Sequence, residues 1–347
     1  MLMRGGTSKG AFFLADDLPT EEAERNELLL RIMGSPDPRQ IDGVGGAHPL
    51  TTKVAVVGPS KRDDVDIEYL FLQVSVDRPE VTDKQNCGNM LAAVGPFALE
   101  RGLIRPSDGP RPVRILMKNT GGLAVARFPV EGGSPVYAGD TEIAGVPGSA
   151  AQILIEFEDI VGSSTGALLP TGRLVDDVGG VAATLIDNGM PVVILRASDV
   201  GVTGYESCEE LEGNTDLRRK LEEIRLVAGT LMNLGDVTQA SVPKMTLVAP
   251  PRAGGAISTR TFIPHRCHQA IGVLGAVSVA TACLLPESPA AQMARVRPES
   301  DIIRIEHPTG VFDAIVRVGP GADPAVLGAG IVRTARKLMD GMVFPRA

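Results

Sequence analysis

The chain has 347 residues and a formal net charge of −8, with 44% hydrophobic and 22% charged residues, only 3% aromatic residues and no tryptophan. The acidic balance argues against general nucleic-acid binding, and so few aromatic rings leave neither a stacking platform for single strands nor an aromatic sugar-binding surface. Four dispersed cysteines without a CxxC pair suit a reducing cytoplasm better than a disulfide framework, no apolar run reaches membrane-spanning length, and the start shows no signal-peptide core.

The length suits two domains. Met3-Arg4-Gly5-Gly6-Thr7-Ser8-Lys9-Gly10 reads as a small-residue loop feeding a strand over 11–14. Its glycines leave the backbone accessible, and Arg4, Thr7, Ser8 and Lys9 supply donors that suit a carboxylate or phosphate. The GxxxxGK[ST] spacing is missing, and a tight turn is the plainer reading. A helix is predicted over 18–33 with Thr20 as its cap. A long Gly/Pro-rich loop over 34–49 then delivers Lys53 at the start of an apolar strand. Burial there would lower the lysine pKa; the alternative is a strand-edge lysine whose stem covers apolar surface. A strand over 68–76 follows.

Lys84-Gln85-Asn86-Cys87-Gly88-Asn89-Met90 precedes the apolar run 91–99, closed by Glu100, Arg101 and Gly102. A helix apolar on all sides is a buried helix. Cys87 would stand at its N-terminus, where unpaired N–H groups and the helix dipole favour an anion and hence a thiolate. The alternative is a small buried cysteine. Strands are expected over 113–117 and 122–128.

The second half repeats these pieces. Residues 136–184 form the passage between halves, a strand is expected over 186–195 and a charged helix over 216–227. Val242-Pro243-Lys244 and the strand after it resemble Thr51-Thr52-Lys53 and theirs. Cys267, ahead of the apolar run 271–282, falls on Cys87, and Pro308-Thr309-Gly310 falls on Asn119-Thr120-Gly121. Three matches in one order point to an internal duplication. Arg333 and Arg336, three apart in 328–344, read as one helix face or as plain surface charge. His265 and His268 at i, i+3 could face one metal, but no carboxylate cluster accompanies them, and no metal site is assigned.

Two helix N-termini aimed at a shared cleft would make a small anionic site without a metal. A thiol and a lysine beside it suit proton removal next to a carboxylate or carbonyl, with the enolate charge held by the helix ends. Without a Rossmann, Schiff-base or haem signature, this chemistry reads as a cofactor-independent isomerase, epimerase or tautomerase.

The strings Met3–Gly10, Gly34-Ser35-Pro36-Asp37, Gln40-Ile41-Asp42-Gly43, Asn86-Cys87-Gly88-Asn89 and Arg333-Thr334-Ala335-Arg336 resemble the PrpF family over essentially the whole chain. That family includes 2-methylaconitate cis–trans isomerase, methylitaconate isomerase and 4-oxalomesaconate tautomerase. The resemblance implies an α+β, diaminopimelate epimerase-like fold: two pseudo-symmetric domains, each a curved mixed sheet around a central helix, with the active site between them. The expected domains are 1–180 and 181–347, with the last segment a candidate to return to the first. It also implies Lys53 and Cys87 as catalytic residues. Arg4, Thr7, Ser8, Lys9, Asn86, Gly88, Asn89, Arg266, Cys267 and His268 are the expected substrate contacts, with no metal and no cofactor.

Gly204-Tyr205-Glu206, the run Met232 to Val237 and Phe262 to His268 most resemble the 4-oxalomesaconate branch, which serves gallate or protocatechuate degradation. The expected reaction is a keto–enol tautomerisation or a 1,3-allylic shift. The alternatives are 2-methylaconitate or methylitaconate isomerisation and, in another class, non-catalytic binding of a small anion. His48 departs from the smaller polar residue expected there. The expected partner is a small di- or tricarboxylate, not nucleic acid or membrane, and the expected setting is a cytoplasmic protein assembling as a homodimer.

Overall fold

The computed structural model describes residues 1–84, 86–106, 109, 111–319 and 325–346. Gln85, in the stretch leading to Cys87, lies outside them. The chain divides into two compact units, Met1–Glu158 with Val332–Ala347, and Asp159–Ile331. The first stretch thus ends ahead of residue 180.

The first unit opens with β1 (Leu2–Gly5) and β2 (Ser8–Leu14), an antiparallel hairpin where a loop was expected. Both arms are strands because both find partners. Gly6, with φ of 50°, occupies the left-handed region that glycine tolerates and turns the chain between them. Next come α1 (Glu22–Met33), capped by the Glu21 carboxylate instead of Thr20, then β3 (Lys53–Pro59), β4 (Ile67–Val74), β5 (Val81–Thr82) and α2 (Gly88–Glu100). After them come β6 (Arg111–Met117), β7 (Gly122–Phe128), the small hairpin β8 (Val130–Glu131) and β9 (Ser134–Pro135), and β10 (Gln152–Glu158). The order β1-β2-β3-β4-β6-β7-β10 continues to β18 (Val326–Met339), which pairs back onto β1 and closes a ring. The β2–β3 and β4–β6 pairs are parallel.

Helix α2 runs inside this ring, with every residue from Met90 to Leu99 buried. An all-apolar helix is stable in water only when covered on every side, and the ring covers it. Small residues let the wall approach: a Cβ at Gly95 would stand 2.6 Å from the Phe128 ring.

The second unit repeats the plan. β11 (Asp176–Asp177) pairs with β12 (Ala182–Asp187), which forms a hairpin with β13 (Pro191–Arg196). Helices α3 (Cys208–Gly213) and α4 (Thr215–Leu231) lead to β14 (Lys244–Ala249), parallel to β13 as β3 is to β2. β15 (Ile257–Phe262), α5 (Val273–Cys283), α6 (Pro289–Met293), β16 (Ile302–His307) and β17 (Gly310–Val318) follow, and residues 326–331 of β18 complete the unit. The β14–β15, β15–β16 and β16–β17 pairs are antiparallel, parallel and antiparallel, matching β3–β4, β4–β6 and β6–β7. Lys244 heads β14 as Lys53 heads β3, so the duplication is written in the backbone.

Two local expectations are corrected. Gly272, not Cys267, caps α5. Residues 263–272 first fold back on the sheet: Ile263 N–H reaches the Arg266 carbonyl and His268 N–H the Thr261 carbonyl, and Cys267 bridges to Phe262. The Arg333 segment is a strand, not a helix, so Arg333 and Arg336 face opposite ways. Arg333 is 7% exposed, whereas Arg336 is on the surface. Among the described residues, no helix is long and apolar enough to cross a membrane.

Candidate active site

One end of the first unit's ring gathers the chemistry-bearing residues. Lys53 opens β3 and is 7% exposed. Its Nζ donates to Gln73 Oε1 at 2.6 Å and sits 5.0 Å from the centre of the Phe71 ring, a cation–π position. Gln73 is the cross-strand partner of Lys53 on β4. Among the described residues no carboxylate forms an ion pair with Lys53. The wall beside it is tight, because a Cβ at Gly10 would stand 2.3 Å from the Lys53 carbonyl oxygen.

Cys87 caps α2 and is half-buried, with an extended backbone at φ −126° and ψ 99°. Its own side chain makes no capping bond, which leaves the thiol at the end of the helix where backbone N–H groups and the dipole favour negative charge. Its carbonyl accepts from Leu91 N–H at 3.0 Å and from the Tyr69 hydroxyl at 3.4 Å. Burial first, and then Cys87, push the Tyr69 phenol well above its ordinary pKa, so this ring remains a neutral donor under the helix head.

Asn89, one residue inside α2, links three elements. Its Nδ2 donates to Thr7 Oγ1 at 3.0 Å, and its Oδ1 accepts from Arg333 Nε at 3.0 Å. The hairpin tip can approach only because it is glycine: a Cβ at Gly5 would stand 2.4 Å from the Asn89 carbonyl oxygen. Asn86 Nδ2 donates to Thr120 Oγ1 at 2.6 Å, in the turn between β6 and β7. Ser8 is 1% exposed, its hydroxyl has no partner among the described residues, and it shares strand parity with Gly10 and Phe12 on the ring's inner face. Such an orphaned buried hydroxyl calls for a ligand or water.

Arg4 has a different task. Its Nη1 donates to the Gly6 carbonyl at 2.9 Å, and to the Thr334 carbonyl and hydroxyl at 3.1 and 2.9 Å. It therefore fastens the hairpin tip to β18. Lys9 is half-buried next to it, its backbone N–H bonded to the Leu50 carbonyl. Gly88 opens α2, whose first N–H groups have no partners within the helix.

In the second unit, Arg266, Cys267 and His268 share the turn between β15 and α5. Arg266 is exposed and pairs with Glu212 at 3.3 Å. Cys267 is buried, and its N–H donates to the same carboxylate at 2.9 Å. Burial, reinforced by neighbouring Cys208, pushes the Cys267 thiol far up, so it stays protonated. His268 Nδ1 accepts from Ala270 N–H at 2.8 Å. Burial lowers its pKa, and Lys244 adds to this against the Ala270 bond, leaving a neutral ring. The two cysteines that overlie in sequence thus differ in kind: one is a half-exposed helix cap, the other a buried thiol in a turn. No group of three His, Cys, Asp or Glu side chains among the described residues could hold a metal.

Sequence reasoning did not single out Tyr69, Gln73, Thr120 or Arg333 as site residues. Gln73 carried a usable signal, as the one non-aromatic polar residue on the inward alternation Ile67, Tyr69, Phe71, Gln73 of β4.

The repeated plan of a mixed sheet and a buried helix is also that of a solved structure titled methylitaconate-delta-isomerase. It aligns with a TM-score of 0.88 at 34% identity, covering 98% of this chain and 93% of that one. The fold is therefore that of an isomerase built from two like units, each a mixed sheet with a buried central helix. The chain belongs to the PrpF family, whose model, described as PrpF protein, matches residues 1–346. It is 60% identical to the (4E)-oxalomesaconate Delta-isomerase of Novosphingobium sp. (strain KA1), over 99% of this chain and 96% of that protein. It is 57% identical to the 4-oxalomesaconate tautomerase of Pseudomonas putida, over 99% of this chain and 94% of that protein.

Proposed function

We propose that this protein is a cofactor-independent isomerase of 4-oxalomesaconate, with Lys53 and Cys87 as its proton-transfer pair. The likeness to the Novosphingobium and Pseudomonas enzymes supports the substrate. The observation that carries the chemistry is a buried lysine held by a neutral acceptor at the same end of one ring as a half-exposed thiol at a helix N-terminus.

Loss of a proton from a carbon conjugated with the keto and carboxylate groups leaves its electron pair in a delocalised enolate. Return of the proton to oxygen gives the enol, and return to the far carbon gives the shifted double bond. Bonds to hydrogen are exchanged one for one, so no electrons enter or leave. Lys53 and Cys87 divide the two transfers. The N–H groups at Gly88 and beyond, with Asn86, Asn89, Thr7, Ser8 and Lys9, hold the carboxylates and the developing oxyanion. Donors already in place for that charge contribute more than donors that must reorient. Arg4 serves this by fixing the hairpin tip. A cytoplasmic setting belongs to the same reading, and four free cysteines suit it.

The test is turnover of 4-oxalomesaconate, followed by ultraviolet absorbance and by proton NMR in deuterium oxide. The expected result is rapid isomerisation with deuterium entering at the carbon that gains the proton. Turnover of methylitaconate instead would favour the activity named for the solved structure of similar fold. Tight binding without turnover of either would mean an anion-binding protein.

A further inference from the structure

Gln73 lies outside every sequence motif, yet its side chain is the most completely specified polar contact of Lys53. Its Nε2 faces three carbonyl oxygens, those of Thr52 at 2.9 Å, Pro49 at 3.2 Å and Val74 at 3.2 Å. Only an NH2 group can face three acceptors, so the amide has one orientation, and Oε1 must point at Lys53. The Thr52 carbonyl belongs to the peptide just before Lys53, so the amide grips both the backbone and the side chain at the head of β3. Phe71, two residues back on β4 and on the same face, presents its ring to the ammonium.

We propose that Gln73 is the positioning residue for Lys53: it fixes the amine with a neutral acceptor, so that the lysine can bind and release a proton without a carboxylate partner. The proposal rests on reading Lys53 as a proton-transfer group. A glutamate in this place would make an ion pair and hold the ammonium form. The titratable groups on the elements packed around β3 leave that task open. Lys9 is on β2, and Asp16 and Asp17 follow it beyond the far end of the strand. Glu68 of β4 is paired with Lys118 at 3.1 Å, and Tyr69 is buried as a neutral phenol. Cys87 stands at the cap of α2, and Glu100 at that helix's other end is paired with Lys337. His48, in the loop before β3, accepts from Leu50 N–H.

The test compares Q73E and Q73M with the unaltered protein through two readouts. The first needs no substrate: the pH dependence of Lys53 labelling by an acylating reagent, measured by peptide mass spectrometry. Q73E should move the labelling midpoint up by about 1–3 pH units, the range for an opposite charge in contact. Q73M removes the acceptor that favours the ammonium form and should move it down. The second is the pH profile of turnover, in which the limb belonging to Lys53 should move in the same two directions, with Q73M lowering kcat more than it raises KM. A merely structural glutamine would give no opposite shifts. Should one variant fail to fold, the sign of the other still decides. Unchanged midpoints overturn the proposal. Opposite labelling shifts in a protein that turns over no oxalomesaconate would refute the isomerase reading and leave the hold of Gln73 on Lys53 standing.

Discussion

The same substitution, cysteine to serine, should have opposite consequences at the two positions that align in sequence. At Cys87 the change keeps the size and alters the acidity. Serine is a preferred helix cap and Cys87 makes no capping bond of its own, so α2 should be no weaker and could gain up to about 1 kcal/mol. Turnover should fall by roughly 10²–10⁴, the usual scale for a positioned acid or base. That is about 2.7–5.5 kcal/mol on the barrier at about 1.36 kcal/mol per tenfold. At Cys267 the side chain is buried and its thiol protonated. A hydroxyl there needs a partner that a thiol does without, at a cost of about 1–3 kcal/mol in stability, while kcat stays near that of the unaltered protein. The assay pairs turnover and deuterium incorporation with denaturant unfolding, with K53A alongside as a second variant expected to lose turnover. An inactive Cys267→Ser with a normally active Cys87→Ser would refute the reasoning and centre the chemistry on the second helix.

Two further expectations follow from other contacts. Gly5→Ala would set a Cβ 2.4 Å from the Asn89 carbonyl oxygen and 3.2 Å from Met90 Cα, backbone atoms that cannot swing aside. The head of α2 must then shift, with a stability loss of about 1–3 kcal/mol and a fall in kcat, measured by unfolding and turnover; a neutral Gly5→Ala would mean the hairpin tip yields instead. The second concerns acid. Burial lowers the pKa of both His268 and His307 from the ordinary 6.5. As pH falls, the unfolded chain takes up these protons before the folded one, so stability present above about pH 6.5 is lost progressively below it. Unfolding midpoints between about pH 7.5 and about pH 5.5 should fall for the second unit, and replacing both histidines by glutamine should flatten that slope.

The duplication was legible because it rests on features with strong local signals. The lysines heading β3 and β14, the two apolar helices and the two hairpins all announce themselves by pattern. What failed did so where pattern and geometry part. Cys267 precedes an apolar run as Cys87 does, but residues 268–272 stand between it and α5 whereas Cys87 adjoins α2 directly, so the helix cap moves to Gly272. Arg333 and Arg336 are neighbours at helical spacing, and Gly328 and Gly330 dilute the alternation that would have marked a strand. The hairpin at Gly5 and Gly6 looked like a cradle because small residues suit both a ligand and a close backbone approach. Only the position of Asn89 distinguishes the two. Gln73 escaped notice because its importance lies in a partner twenty residues away in sequence and directly opposite it across the sheet.

The path of the chain through the two units bears on how the protein is made. The second unit is one uninterrupted stretch, Asp159–Ile331, whereas the first is discontinuous and needs Val332–Ala347. On a ribosome, the stretch synthesised first must therefore wait with an open seam between β1 and β10, while the stretch synthesised after it can complete itself. Arg333 and Thr334, which bond to Asn89 and Arg4, lie in that late segment. The polar end of the first ring is thus assembled last, and a nascent chain stalled before residue 332 would hold Lys53 and Cys87 in an unsealed barrel.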